Sequence, residues 1–490
     1  MLSKLRENRK GYGRLRSFTV LPAACLFSMT IGSVGLPAGP TRAGEARDEA
    51  RDGVGASYWG TIPAPVDSVT AVFTQRSAPA LERALLVPYT VLKLPISALK
   101  QGLKGTVIGL DRGRVLHRVG SLLGPRQGPF GLLLNFQAGG LSGFGGGLTA
   151  VHDSFFSPDA RFKLRWQSSV RSAHRVTLGI RLQEGSPTGF EVGAGYRVRP
   201  NARFFGIGPR AGLDGLDPDS VETFYSQEIT WAGAGARRVL AGDLAGEATI
   251  LFSAAGARRP GNPGDDRPIE EVHEKPVGYQ GRSDGVTASL ALLHDDTVDQ
   301  GRPESGGLRR VKVSRFLSTD GSDLGFWTFR GELEQFLPLW FSKRALALRG
   351  FISWIEEDQA DVPFQRLLTN DEPDQFRGYR DFRWRDDGIT GFSAEYRWPI
   401  WAGSSPDGFG LDAFLFTDVG QVFGDFDGIA RDNLTYSYGG GVRVAGFGSF
   451  AGLVQIAGSD EETVIHLTAL QNFQFSRGGL FHGRDQVAIR

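Results

Sequence analysis

The sequence predicts an all-β protein: a transmembrane antiparallel β-barrel of about sixteen strands, with a short helical N-terminal region. Three observations support this: an export signal, many segments of alternating apolar and polar residues, and connections that alternate between short and long. The 490 residues include 68 glycines and 34 phenylalanines, which suits a curving sheet with tight turns. The net charge of +1 provides no field that would recruit nucleic acid.

The first 43 residues have the pattern of a cleaved signal peptide. Lysines and arginines crowd the first sixteen positions, residues 17–40 carry no charge, and small residues precede a cleavage site after Ala43. An uncleaved anchor helix is the alternative, but the prolines and glycines of residues 17–40 make a poor membrane span. A lipoprotein signal at Cys25 is disfavoured because Pro22 stands where leucine is expected. Cleavage removes the single cysteine, which suits export through an oxidising compartment.

Residues 44–128 are predicted to form an N-terminal periplasmic or plug-like helical region. After a charged leader, apolar residues recur with helical spacing over residues 79–123, and Pro88 and Pro95 divide this stretch into short helices. Two placements remain open. The region packs on the C-terminal remainder of the chain, or it lies inside or beneath the barrel as a plug or lid.

Residues 129–475 are predicted to be the barrel. In residues 390–401 one parity is apolar and the other polar; the two sets are Phe392, Ala394, Tyr396, Trp398 and Ile400, and Ser393, Glu395 and Arg397. A soluble sandwich would bury the apolar set, whereas a transmembrane barrel turns it outward to lipid. The export signal, segments near the about 9–11 residues that a tilted strand needs, and aromatic residues at strand ends favour the barrel. The strand count depends on whether residues 130–151 form one strand or two.

The connections alternate in length. A short glycine-containing link at residues 185–188 contrasts with long polar links at residues 258–284 and 356–375. This alternation is typical of short periplasmic turns and long extracellular loops. Because the long loops contain few apolar residues, we expect them to need no core of their own.

One motif stands between the long link at residues 356–375 and the strand at residues 390–401: Phe376, Arg377, Gly378 and Tyr379. It is followed by Ser-Ala-Glu-Tyr-Arg-Trp-Pro at residues 393–399 and by Phe-Thr-Asp-Val-Gly at residues 416–420, and an Asn-Ala-Arg-Phe-Phe-Gly-Ile-Gly tract lies earlier at residues 201–208. In order and spacing these tracts resemble the bacterial surface antigen superfamily of outer-membrane barrels, the BamA/TamA-like assembly and translocation proteins. The resemblance extends over residues 130–475.

The resemblance implies a loop-lock motif, in which Arg377 docks against Glu395 and Asp418. A guanidinium group can make several fixed hydrogen bonds to carboxylates, so it suits the task of anchoring a long loop inside a wide lumen. Gly378 would allow a tight turn close to the wall, and Tyr379 would pack and hydrogen-bond there. The alternative is that Arg377 is a solvated loop charge and that Asp418 starts a turn.

Two features depart from the superfamily. Residues 44–128 show no alternating strands, so we predict no POTRA module, which puts capture of clients by such modules in doubt. The chain also continues beyond the strand end at which these barrels usually close. We expect Phe473 and Phe475 to form the barrel-closing strand end, with residues 476–490 as a C-terminal tail.

No arrangement of residues suggests catalysis, so no enzyme activity, cofactor or metal is expected: the histidines are scattered, and Ser253 and Ser314 have no motif context. The resemblance implies an integral protein of the Gram-negative outer membrane that helps to insert or translocate proteins, or lipid. Its expected partners are outer-membrane lipid and client outer-membrane or secreted proteins, with no nucleic acid. A passive pore or structural barrel and an exported lipolytic enzyme are the alternatives.

Overall fold

A computed structural model describes residues 130–137, 145–183, 186–209, 218–261, 266–298, 303–339, 344–357, 361–370, 376–402, 410–446 and 450–468. The predicted signal peptide, the helical region at 44–128, the tail at 476–490, Phe473 and Phe475 lie outside these residues and remain predictions. In the part of the chain that is described, no helix is long and apolar enough to cross a membrane.

Among the described residues, one antiparallel sheet of 16 strands dominates, which confirms the predicted fold class and the predicted count of about sixteen strands. Residues 130–151 contribute two strands, not one. The strands are β1 Phe130–Gln137, β2 Gly145–Asp153, β3 Arg161–Ser169, β4 His174–Leu182, β5 Thr188–Phe204, β6 Thr223–Ala241, β7 Leu244–Arg258, β8 Arg282–Asp295, β9 Gly306–Ser318, β10 Gly325–Pro338, β11 Ala345–Glu357, β14 Gly388–Ala402, β15 Gly410–Phe423, β16 Thr435–Gly446, β17 Phe450–Gly458 and β18 Thr463–Thr468. Each pairs with the next in this order.

The connections at the two ends of the strands differ. The links that follow β5, β7, β11 and β15 share one end and are long; they contain the short helix α1 Pro218–Val221 and 3₁₀ turns at Ile269–Glu271, Phe364–Arg366, Phe426–Gly428 and Arg431–Asn433. The link after β11 also carries a small hairpin of β12 Leu368–Thr369 and β13 Arg385–Asp386. We call this the long-loop end. Long loops lie outside the cell in barrels of this kind, so it is assigned as extracellular.

The apolar parity of the strands faces outward and the charged parity faces the lumen. Phe392 on β14 is 45% exposed, whereas its neighbours Ser393 and Glu395 are 4% and 3% exposed. The same outward exposure holds for Leu164, Trp166, Ile250, Leu290, Val311 and Ile465. A soluble sandwich requires the opposite arrangement, so this polarity belongs to a barrel wall in lipid.

Trp398 is an exception to this alternation. It shares the parity of Phe392 but is buried, next to a register shift between Pro399 and Trp401, and its ring stacks on Tyr396 with centroids 5.4 Å apart.

The main apolar cluster lies inside the barrel at the long-loop end. Side chains of the wall, among them Phe204, Tyr225, Phe316 and Phe351, pack with side chains of the link after β11. That link contributes Val362, Phe364, Leu367, Leu368, Phe376, Tyr379 and Trp384. The loop thus has no core separate from the barrel, and its apolar residues share the core of the wall. Its few apolar residues suffice because the walls supply the remaining buried surface.

Candidate functional site in the barrel lumen

In the link between β11 and β14, the described residues 361–370 and 376–387 fold into the lumen; we call them the lumen loop. Two of its non-glycine residues have left-handed backbones: φ is 50° at Phe376 and 65° at Phe382. Such values are uncommon outside glycine. Both aromatic rings are buried, so packing compensates for the unfavourable backbone and directs the intervening residues against the wall.

Arg377 makes a buried set of ion pairs with β14 and β15. Its Nη2 and Nε donate to Oδ1 and Oδ2 of Asp418 at 2.6 and 3.0 Å, and its Nη1 donates to Oε2 of Glu395 at 2.8 Å. The backbone N–H of Arg377 also donates to Asp418 at 3.2 Å. Arg377 is 1% exposed, so it is not a solvated loop charge. The structure thus brings together the three residues that the resemblance implied.

The surroundings of this cluster fix its geometry further. Ser437 on β16 donates its hydroxyl to Oδ2 of Asp418 at 3.0 Å, and Arg397 donates its Nε to Oε1 of Glu395 at 2.7 Å. The guanidinium of Arg377 also lies over the Phe416 ring, 3.4 Å from its centroid. Burial by itself would lower the pKa of Arg377, but the charges of Asp418 and Glu395 outweigh burial and raise it. Arg377 therefore remains charged, and each of its three side-chain nitrogens donates a hydrogen bond to a carboxylate.

Gly378 allows the lumen loop to approach the wall closely. A Cβ atom there would lie 2.7 Å from both the carbonyl oxygen of Gly458 and the Cβ of Ser437. The carbonyl of Gly378 accepts a hydrogen bond from Ser459 at 2.8 Å. Residues 376–379 form a tight turn, in which the backbone N–H of Tyr379 donates to the carbonyl oxygen of Phe376 at 2.9 Å, so Arg377 and Gly378 are its central residues. The narrow space at Gly378 excludes a side chain.

Three loop residues bind the acidic turn between β17 and β18, which comprises Asp460, Glu461 and Glu462. Tyr379 donates its hydroxyl to Oδ1 of Asp460 at 2.6 Å. Arg380 donates to Glu462 at 2.9 Å, and Arg383, whose side chain is fully buried, donates to Glu461 at 2.8 Å. Each carboxylate of the turn thus has its own partner on the lumen loop.

The same loop also contacts a separate part of the wall. Nη1 of Arg380 donates to Asp219 at 2.6 Å and to Glu222 at 2.8 Å, both in or beside α1 between β5 and β6. Further along the chain, Arg385 donates to the carbonyl of Phe364 and, at 3.3 Å, to the hydroxyl of Tyr225 on β6. The lumen loop therefore spans the lumen and joins β5 and β6 to β14–β18.

Two adjacent carboxyl groups of the lumen loop lie in surroundings that disfavour charge. Burial raises the pKa of Asp386 to about 6. Burial and the neighbouring Asp386 raise the pKa of Asp387 to about 7. Near neutral pH this pair is therefore partly protonated.

The sequence motif indicates the centre of this site but not its extent. Arg380, Arg383 and the acidic turn at residues 460–462 were not predicted as site residues. The one available signal was the charge-dense run at residues 380–387, but its partners lie up to 161 positions away in the chain. No local pattern predicts pairing over such distances.

Comparison with known proteins gives a family. The model of the Omp85 superfamily domain matches residues 154–478. Among solved structures, BamA from Haemophilus ducreyi lacking POTRA domains 1-3 is 12% identical over 70% of this chain and 69% of that chain, with a TM-score of 0.49. CdiB from Escherichia coli is 12% identical over 70% of this chain and 62% of its own, with a TM-score of 0.47.

CdiB from Acinetobacter baumannii is 13% identical over 69% of this chain and 58% of its own, with a TM-score of 0.42. The chain thus spans less than two thirds of either CdiB chain. No curated protein matches the sequence. Since the family model covers more than half of the chain, the protein belongs to the Omp85 superfamily and is an integral β-barrel protein of the Gram-negative outer membrane.

Proposed function

We propose that the protein inserts or translocates polypeptides at the outer membrane, with the lumen loop locking strands β14–β18 in place. The observation that carries this proposal is the buried pairing of Arg377 with Glu395 and Asp418, which ties a loop that crosses the lumen to the wall. Membership of the Omp85 superfamily supports the class of activity.

The packing of the lumen argues against a passive open pore. At the long-loop end the apolar cluster contains side chains from β5, β6, β9, β11 and β15 together with those of the lumen loop. A solute that crosses there must displace buried aromatic rings and break buried ion pairs, and breaking such pairs costs about 3–5 kcal/mol each. Passage therefore requires a rearrangement of the loop.

The mechanism uses the terminal strands of the sheet. β1 and β18 stand at the two ends of the strand order, and β18 directly follows the acidic turn that Tyr379, Arg380 and Arg383 hold. A strand edge with unpaired backbone groups can template an incoming strand. Release of the acidic turn by the lumen loop would free the last hairpin to move, and the edge would then receive a client strand.

Depletion of the protein in its native cell tests this proposal. We expect the levels of other outer-membrane or secreted proteins to fall, to recover with the wild-type gene, and to recover only partly with Arg377→Ala, measured by quantitative mass spectrometry of outer-membrane and secreted fractions. Unchanged levels of all these proteins on depletion would contradict the proposal.

Single-channel recording in planar bilayers separates assembly from passive conduction. For the purified wild-type protein we expect mostly closed recordings, and for Arg377→Ala frequent openings, because the lock is lost. A steady open conductance that is identical in both proteins would favour the passive pore instead.

A further inference from the structure

The lumen-facing side of β3–β5 has a strong excess of positive charge. Its basic residues are Arg161, Lys163 and Arg165 on β3, Arg175 and Arg181 on β4, and Arg197 and Arg199 on β5. On these three strands Glu191 is the acidic residue of that parity, and it pairs with Arg181 at 3.1 Å. We call this surface the basic wall.

The long-loop end of the basic wall carries three of these seven basic residues, Arg175, Arg197 and Arg199, and no acidic residue of that parity on β3–β5. Arg175 and Arg197 stand directly opposite each other in the register of β4 and β5. Like charges in this position destabilise a sheet. The residues that the register sets beside Arg175, Arg197 and Arg199 are Gln167, Ile229 and Gln227, which carry no charge. Departures of this kind from stable pairing occur mainly at functional sites, so the repulsion suggests that the positive charge has a function.

These three arginines line one cavity. It lies between the β3–β4 turn and β5 and has a volume of about 60 Å³; Gln167, Ser168 and Ser169 also contribute to its lining. One water molecule needs about 10–15 Å³ on this scale, so the cavity has room for the four oxygens of a phosphate group. Guanidinium groups match the geometry of phosphate oxygens.

Arg199 provides an independent indication of a ligand. Its Nη1 is buried and makes no hydrogen bond to any residue that the structure describes. Its guanidinium carbon lies 5.2 Å from the centroid of the Phe382 ring on the lumen loop. Leaving a buried donor unsatisfied is costly, especially on a charged group. An anionic oxygen in the cavity would accept from it.

We propose that this cavity binds a phosphate group, as free phosphate or as the headgroup of a phospholipid. Free phosphate and the monoester headgroup of phosphatidic acid carry a charge of about −1.5 to −2 at neutral pH, which offsets the repulsion between Arg175 and Arg197 better than a single carboxylate can. The site is separate from the Arg377 cluster and does not depend on the proposed insertion of polypeptides. A phosphate bound there would lie beside the lumen loop, because Arg199 contacts Phe382 of that loop.

Isothermal titration calorimetry of the purified full chain in a non-ionic detergent tests the site with three probes at constant ionic strength: inorganic phosphate, dioctanoyl phosphatidic acid and dioctanoylglycerol. We expect saturable binding of a phosphate-bearing probe and none of dioctanoylglycerol. Binding of inorganic phosphate indicates a free anion as ligand, and binding of phosphatidic acid alone indicates a lipid headgroup. Arg199→Gln and Arg175→Gln should each weaken binding about tenfold or more.

Arg258→Gln is the matched control, because Arg258 ends β7 at the same end of the barrel but its side chain is 75% exposed. Its affinity should equal that of the wild type. The proposal is overturned if no phosphate-bearing probe binds saturably, or if the control weakens binding as much as Arg199→Gln does. Heat-modifiable migration on gels establishes that each variant is folded, and Arg199→Lys, which keeps the charge, should retain part of the affinity.

Discussion

Two walls of the same lumen use arginine in opposite ways. On β14–β16 each arginine near the Arg377 cluster has a carboxylate: Arg397 bonds Glu395 at 2.7 Å, and Arg443 bonds Asp412 at 3.1 Å. On β3–β5 the basic residues outnumber the one carboxylate of that parity, Glu191.

The pairing of charges on each wall determines what that wall can hold. A buried arginine with two carboxylates has its hydrogen bonds fixed, so the pairing specifies one position of the lumen loop and resists movement. Arginines that stand opposite each other create a positive electrostatic potential, which a bound anion can neutralise. The wall formed by β14–β16, in which arginines and carboxylates pair and which we call the neutralised wall, holds the lumen loop of the protein itself. The basic wall is suited to hold a ligand.

The loss of the Arg377 ion pairs in the neutralised wall should reduce the stability of the folded barrel more than any other change considered. Arg377→Ala leaves Glu395 and Asp418 buried with less compensation, so we expect a loss of about 3–5 kcal/mol in the stability of the folded barrel. Thermal unfolding in detergent, followed by heat-modifiable migration, measures the change. Arg258→Ala, which removes an exposed arginine, should cost less than about 1 kcal/mol. A loss for Arg377→Ala no larger than that of this control would contradict a structural role for the lock.

A smaller effect tests the close approach of the lumen loop. Gly378→Ala places a methyl group 2.7 Å from the carbonyl oxygen of Gly458, and overpacking of this kind costs about 1–3 kcal/mol. The same unfolding assay measures it. Gly331→Ala on β10 is the control, since its new Cβ would meet Ile352 at an ordinary 3.6 Å. Equal stability of the two variants would contradict the close contact of Gly378 with Ser437 on β16 and Gly458 on β17.

The smallest change in the stability of the folded barrel is expected when a carboxylate of the kind that the neutralised wall already has is added to the basic wall. Gln227 accepts a hydrogen bond from Arg197 at 3.3 Å, so Gln227→Glu adds a carboxylate at that point. We expect stability to change by less than about 1 kcal/mol, because ion pairing offsets desolvation. Phosphate affinity should fall about tenfold, whereas Gln227→Met should leave it near the wild-type value. If Gln227→Glu leaves the phosphate affinity unchanged, the positive charge of the basic wall does not contribute to anion binding, which contradicts the proposal.

Much of the barrel could be predicted because its signal is local. Alternation with period two assigns Phe392 and Glu395 to opposite faces without any knowledge of neighbouring strands. The contact of Arg377 with Glu395 and Asp418 needed the resemblance, since the three residues lie on three different elements. The other ion pairs of the lumen loop, such as Arg383 with Glu461, were not predictable from the sequence. A charge-dense loop has the same sequence pattern whether it is solvated or buried.

The sequence alone was sufficient to assign residues to the two faces of each strand, to give a count of about sixteen strands and to locate the motif around Arg377. Tertiary structure decided that the charged face is enclosed, that the lumen loop builds a core with the wall, and that Arg175, Arg197 and Arg199 meet at one cavity. The physical reason is that periodicity arises within a single strand, whereas these contacts depend on strand register and on a loop that crosses the lumen.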